Sequence, residues 1–135
     1  MTRSTLRCVV VLCGSLLAGA SLHAHHSLAG AYALGKEATV KGSFTAFRLV
    51  NPHSSLKLDV KNPDGSTTEW VMTTGSANTL ANLGFGKGGQ NTVKAGDRVT
   101  ITYFAARNGS PLGFIRTITL PDQREIKISN GSSTD

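Results

Sequence analysis

The side chains best suited to chemistry in this sequence are its four histidines, because imidazole binds metal ions and exchanges protons near neutral pH. Three of them, His23, His25 and His26, lie close together near the N-terminus. The fourth, His53, belongs to the short motif Asn51-Pro52-His53. These histidines therefore carry the first functional hypothesis.

The chemistry of the N-terminal histidines depends on where the chain is cut. Residues 1–24 have the features of a secretory signal peptide: Arg3 and Arg7 supply a positive start, a short apolar run follows, and small residues end at Ala24. Cleavage after Ala24 would make His25 the first residue of the mature chain. We therefore expect an exported, periplasmic protein.

A mature chain that begins at His25 suits copper. Its α-amine and ring nitrogen can bind one metal ion together, and His26 or His53 can add a further nitrogen. Sets of nitrogen ligands in a tetragonal arrangement favour Cu(II). A cut after Ala20 would instead make His23 the third residue, a position that can also bind Cu(II) or Ni(II). The competing interpretation is that the histidines hold no metal and that His53 only hydrogen-bonds at the rim of the fold.

Catalytic motifs are absent from the sequence. Both cysteines, Cys8 and Cys13, lie inside the predicted signal peptide, so the mature domain has no thiol. No Gly-x-Ser-x-Gly motif occurs, and the glycine-rich segment 84–89 lacks the Lys-Ser/Thr pair of a phosphate loop. We expect a binding protein that is not an enzyme, with Cu(II) as the one cofactor that the residues suggest.

Most of the secondary structure that the sequence predicts consists of strands. Apolar and polar residues alternate in 56–61 and 98–105, which is typical of strands with one buried face. Further β-rich runs lie at 40–46, 69–72 and 114–120, and a sixth strand is expected around 125–128.

Turns and one helix separate these strands. Segment 62–65 reads Asn-Pro-Asp-Gly, and segment 107–111 contains Asn-Gly. Both sequences favour hairpin turns. Segment 76–84 predicts a short helix, with Ser76 as N-cap and Gly84 just after its end. The order predicts an all-β, OB-like barrel of five to six strands with one short helix between strands 3 and 4. An open meander packed on one helix is the alternative.

Length and composition agree with a single small domain. The chain has 135 residues, of which 39% are apolar and 16% charged. We assign residues 25–128 to the β-barrel domain and residues 129–135 to a flexible tail. No apolar run approaches the roughly 20 residues of a membrane-spanning helix, so we predict no transmembrane segment.

Aromatic residues suggest a second way to bind a partner. Phe47 and Phe104 fall on the outward phase of their strands, so they are the candidates for an exposed ligand face, whereas Phe44, Trp70 and Tyr103 are assigned to the core. The alternative function is thus an OB-like scaffold or ligand-binding module for a peptide, a glycan or a protein, without a metal. Without Arg3 and Arg7 of the predicted signal peptide, 12 basic and 8 acidic residues leave a net charge of +4, which is scattered along the strands. Nucleic acid is a poor partner outside the cytoplasm, so we predict no nucleic-acid partner.

Several motifs together resemble one known family. They are His25-His26-Ser27-Leu28-Ala29, Lys41-Gly42, Asn51-Pro52-His53, Trp70, Leu80 with Gly84-Phe85, Lys94-Ala95-Gly96-Asp97 and Thr119-Leu120-Pro121-Asp122. In this order they resemble a family of small exported bacterial proteins that is known only as a domain of unknown function. The resemblance spans 25–128 and implies an exported β-barrel, without an established activity or cofactor. Ala77, where proline is expected, and the glycine-rich loop after the helix depart from the family pattern.

Overall fold

The computed structural model describes residues 27–129. Two short helices and six strands make up this part of the chain. They are α1 (Ser27–Ala31), β1 (Tyr32–Arg48), β2 (Ser55–Lys61), β3 (Thr67–Thr73), α2 (Ala77–Asn82), β4 (Arg98–Ala106), β5 (Leu112–Thr119) and β6 (Glu125–Lys127). Neither helix in this range is long and apolar enough to span a membrane.

Five of the strands close into a barrel. The long strand β1 pairs antiparallel with both β2 and β4, and β4 pairs with β5. Strand β3 pairs antiparallel with β2 and parallel with β5, with Val71 opposite Leu112 and Thr73 opposite Phe114. This parallel seam excludes the open meander and confirms the predicted OB-like barrel. Strand β6 adds a sixth strand beside β5.

Glycine is required where β1 crosses β2. A Cβ atom on Gly42 would lie 2.6 Å from Leu58 Cδ1 and 2.8 Å from the Asp59 carbonyl oxygen. The sequence suggested that Gly42 permits a bend or bulge, and the register does shift nearby, between Phe44 and Ala46. The close approach of Leu58 is what demands a residue without a side chain at position 42.

A second glycine permits the barrel to close. Gly113 lies in the seam, where an added Cβ would collide with the Tyr103 ring and lie 2.9 Å from Met72 Sδ. All three residues are buried. Any side chain at position 113 would therefore disturb the packing of β3, β4 and β5.

Alternate side chains of the strands fill one main core. Leu56, Leu58, Met72 and Ile101 have no exposed surface, and Leu80 of α2 packs with them. A separate small cluster consists of Tyr32, Phe104 and Phe114. This second cluster exists because β1 begins at Tyr32, well before the strand that the sequence predicts.

Helix α2 has the predicted ends. The Thr79 amide donates to the Ser76 hydroxyl at 3.2 Å, so Ser76 is the N-cap. Gly84 has a φ of +79°, and the amides of Gly84 and Phe85 donate to the carbonyls of Ala81 and Leu80. These two bonds form a Schellman motif, which satisfies the last carbonyls of the helix.

Candidate functional site: the His53 cleft

His53 lies in the exposed loop between β1 and β2. The next residue, Ser54, is fully buried; its hydroxyl donates to the Val50 carbonyl at 2.9 Å and its amide donates to the Gly75 carbonyl at 2.8 Å. The Asn51–Pro52 peptide bond within the loop is cis. The loop backbone beside His53 is thus fixed to the segment that follows β3.

The same loop is joined to the start of α2. The Ala77 amide donates to both the Val50 carbonyl, at 3.2 Å, and the Asn51 side-chain oxygen, at 3.1 Å. Asn51 therefore holds the loop against the helix, which explains the asparagine of the Asn-Pro-His motif on structural grounds.

A cleft opens beside the imidazole of His53. Its volume is about 410 Å³. The loop, the start of α2 and the end of the described chain line it with Pro52, His53, Gly75, Ser76, Thr79, Ile128 and Ser129. Ser129, the first residue of the predicted tail, is buried here, and its hydroxyl donates to the Ile115 carbonyl at 3.0 Å. The folded domain thus extends to Ser129. We call this region the His53 cleft.

The other two predicted copper ligands, His25 and His26, lie outside the described residues, as do the predicted signal peptide and residues 130–135 of the predicted tail. Between residues 27 and 129 no three His, Cys, Asp or Glu side chains come close enough to hold a metal ion. His53 is the single histidine in that range. A copper site with three such ligands at His53 would thus need ligands from outside residues 27–129.

The chain enters the barrel through α1 and Tyr32, at the end of β1 that pairs with β4. The hydroxyl groups of Tyr32 and Thr73 lie 2.8 Å apart, and Thr73 pairs with Ser55, two residues after His53. Arg107 fixes α1 to the barrel, since its amide donates to the Ala31 carbonyl at 3.0 Å. Tyr32 was not predicted as an anchor, although the apolar residues around it were an available signal.

Of the two residues of the predicted aromatic ligand face, Phe104 is buried and Phe47 is half-buried. Phe104 retains only 5% of its surface, because Tyr32 and Phe114 pack against it and the Arg116 guanidinium lies 5.3 Å above its ring. Its prediction as an exposed contact was therefore wrong. Phe47 is half-buried, with its ring 5.0 Å from Phe44 and 5.7 Å from Phe85 between centroids.

No ion pair of the described chain includes a residue that lines the cleft, although Arg116 also donates to the Ser129 carbonyl. The ion pairs between residues 27 and 129 join Lys57 to Glu69, Arg116 to Glu37 and Arg124 to Asp122. Hydrogen bonds from Arg124 lower the pKa of the Asp122 carboxyl, and burial raises the pKa of the Tyr103 phenol. None of these pairs includes His53, so no carboxylate within the described chain forms an ion pair with its imidazole.

The closed sheet, with one helix between β3 and β4, makes this protein an OB-type barrel. A family model described as a family of unknown function (DUF6152) matches residues 11–115, and the chain belongs to this family. No curated protein matches the sequence.

A solved structure with a similar fold is that of the mitochondrial single-stranded DNA binding protein Rim1 from S. cerevisiae. The two sequences are 15% identical, the TM-score is 0.45, and the match covers 70% of this chain and 97% of that chain.

Proposed function

We propose that this protein is a small exported binding protein that holds Cu(II) beside the His53 cleft, with His25, His26 and His53 as ligands. In this proposal the α-amine and imidazole of His25 bind the ion together. His26 and His53 complete a set of nitrogen ligands, which is the kind of set that Cu(II) prefers. The protein binds the ion without catalysing a reaction.

The observation that carries this proposal is the contact between Tyr32 and Thr73. It brings the beginning of β1 to Thr73, the last residue of β3. Thr73 pairs with Ser55, which lies two residues after His53. Only the five-residue helix α1 separates His26 from Tyr32, and such a helix advances the chain by only about 7.5 Å. His26 is therefore only one short helix away from Tyr32 along the chain, and the proposal is that the N-terminal histidines meet His53 from there.

The fixed loop also supports His53 as a ligand. Its neighbours Ser54 and Asn51 are hydrogen-bonded to Gly75 and Ala77, whereas the His53 side chain itself is exposed. A ligand on a rigid loop loses little conformational freedom when it binds. An exposed imidazole also needs little desolvation before it meets a metal ion.

Export is part of the proposal and is tested by sequencing the N-terminus of the protein recovered from the periplasm. A chain that begins at His25 provides the amine-plus-imidazole chelate. A chain that begins at Ser21 would place His23 third and replace the proposed ligand set. An uncleaved cytoplasmic chain would contradict the proposal.

Copper binding is tested by titrating the mature chain with Cu(II) in calorimetry, with His25→Ala, His26→Ala and His53→Ala as variants. Each should weaken binding by more than about tenfold, because losing a group that only hydrogen-bonds to a metal ligand already lowers metal affinity by about that factor. A glycine added before His25 should weaken binding as well, because it separates the amine from the imidazole. Lys87→Ala, in an exposed loop, is the control. An unchanged dissociation constant in both His25→Ala and His53→Ala would contradict the proposal.

We infer further that the protein does not bind nucleic acid. Bases stack on exposed aromatic rings in single-strand binding sites, whereas Phe104 is buried and Phe47 packs between two other rings. Fluorescence anisotropy of a labelled single-stranded oligonucleotide should stay constant at physiological salt as the protein is added. Saturable binding in the micromolar range would contradict this inference.

A further inference from the structure

A groove along the paired strands β1 and β4 carries two positive charges. Its volume is about 300 Å³. Strands β1, β4 and β5 and the turn after β5 line it, and its polar residues are Lys41, Arg98, Thr100, Thr119 and Gln123. No residue is shared with the His53 cleft, so this groove is independent of the proposed copper site. We call it the Lys41–Arg98 groove.

The strand register brings the polar residues of the groove together. Lys41 lies opposite Thr100, and Thr100 lies opposite Thr119, so the three share one face of the sheet. Arg98 lies two residues before Thr100 and therefore points to the same face. A long side chain reaches such a diagonal neighbour across an antiparallel pair. The ammonium and the guanidinium can thus converge on one point.

These cations lack acidic partners within the described chain. Neither Lys41 nor Arg98 makes an ion pair or a side-chain hydrogen bond there. By register, the carboxylates beside this face are Asp59, which lies opposite Ser43, and Glu125, which lies opposite Thr119. Asp59 forms no ion pair with Arg98, and no acidic residue lines the groove. Two like charges side by side are unfavourable unless an anion or solvent compensates them.

The uncharged residues of the groove add hydrogen-bond donors. The hydroxyls of Thr100 and Thr119 have no hydrogen-bond partner between residues 27 and 129. The side-chain amide of Gln123 makes only a long contact of 3.5 Å with the Pro121 carbonyl. Together with the two cations, these groups form a donor-rich pocket, which suits the several acceptor oxygens of a tetrahedral oxyanion.

We propose that the Lys41–Arg98 groove binds a phosphate group. Arg98 can bind two phosphate oxygens through its planar guanidinium, and Lys41 supplies a second positive charge. The threonine hydroxyls and the Gln123 amide donate to the remaining oxygens. The phosphate is either the free ion or the terminal group of a phosphomonoester, since both present the same oxygens.

The test is an NMR titration of the mature chain with inorganic phosphate and, separately, with glycerol phosphate, each at constant ionic strength maintained with chloride. The backbone amides of Thr100, Thr119 and Gln123 should shift in a saturable manner with at least one of the two ligands. A response to inorganic phosphate assigns the free ion as a ligand, and a tighter response to glycerol phosphate assigns the monoester. The absence of saturable shifts with both would overturn the proposal.

Variants separate this site from general attraction between charges. Arg98→Gln and Lys41→Gln should each weaken phosphate binding about tenfold or more, the cost typical of a lost hydrogen bond between charged groups. Lys36→Gln is the matched control, because Lys36 is also exposed on β1 but does not line the groove. Equal weakening in all three variants would overturn the proposal, since it would show a response to net charge alone. Circular dichroism of each variant checks that the barrel is intact.

Discussion

The barrel seam differs from the two polar surfaces, the His53 cleft and the Lys41–Arg98 groove, in how tightly its residues are packed. At the seam, Gly113 contacts Met72 and Tyr103 without space for one further carbon atom. At the His53 cleft and the Lys41–Arg98 groove, the polar side chains face solvent or lie at the rim of the core. Residues that hold the fold are thus separate from those proposed to meet ligands. Substitutions of the exposed residues His53, Lys41 and Arg98 should therefore change binding without unfolding the barrel.

The largest effect is expected in the core beside the seam. Leu56→Ala removes a side chain with no exposed surface, and the cavity should lower the free energy of unfolding by about 3–4 kcal/mol. Urea denaturation measures the change. Leu49→Ala is the control, because Leu49 is 39% exposed and should cost less than about 0.5 kcal/mol. Equal losses in both variants would contradict the assignment of the core.

The seam itself is tested by adding one carbon atom. Gly113→Ala places a methyl group against Met72 and Tyr103, and the forced repacking should cost about 2–3 kcal/mol. Gly30→Ala provides the comparison, because a Cβ there has no neighbour within 4 Å. A stable Gly113→Ala protein would mean that β3 and β5 do not pack as closely as described.

A smaller effect is expected at the anchor of the N-terminal segment. The Thr73 hydroxyl donates to the Gly113 carbonyl at 3.1 Å, so the Tyr32 hydroxyl is the donor in its 2.8 Å bond to Thr73. Tyr32→Phe removes that bond at almost constant shape and should cost about 1 kcal/mol. The effect should vanish in a Thr73→Val background. An undiminished effect in that background would show that the two hydroxyls do not interact.

The smallest effect on stability is expected at the proposed copper ligand. His53 is exposed and makes no hydrogen bond through its side chain within the described chain. His53→Ala should therefore change the free energy of unfolding by less than about 0.5 kcal/mol without metal. With Cu(II) present, the wild-type melting temperature should rise more than that of the variant, because a ligand that binds the folded state stabilises it. Identical shifts in both proteins would remove His53 from the site.

Local patterns predicted much of this fold. The Asn62–Gly65 turn joins β2 and β3 as expected, and α2 has Ser76 and Gly84 at the predicted ends. Both signals act within a few residues, which is why sequence alone reveals them.

Long-range contacts account for what the sequence did not predict. Strict alternation in β4 placed Tyr103 inside and Phe104 outside, yet both are buried. The register against β5 shifts between Thr102 and Tyr103, and Tyr32 from the unpredicted half of β1 covers Phe104. Likewise, Lys41 and Arg98 are distant in sequence, and only the β1–β4 register makes them neighbours. Contacts between residues so far apart in the sequence do not follow from a periodic pattern.

The central claim, that the N-terminal histidines and His53 bind one copper ion, is tested most directly by paramagnetic NMR. Cu(II) broadens the signals of nearby nuclei, so one equivalent added to the mature chain should erase the backbone amides of His53, Gly75 and Ser76. The amides of Thr100 and Thr119, in the Lys41–Arg98 groove, should remain sharp. Broadening that leaves His53 and Gly75 unaffected would contradict the claim, because the ion would then be bound away from the His53 cleft.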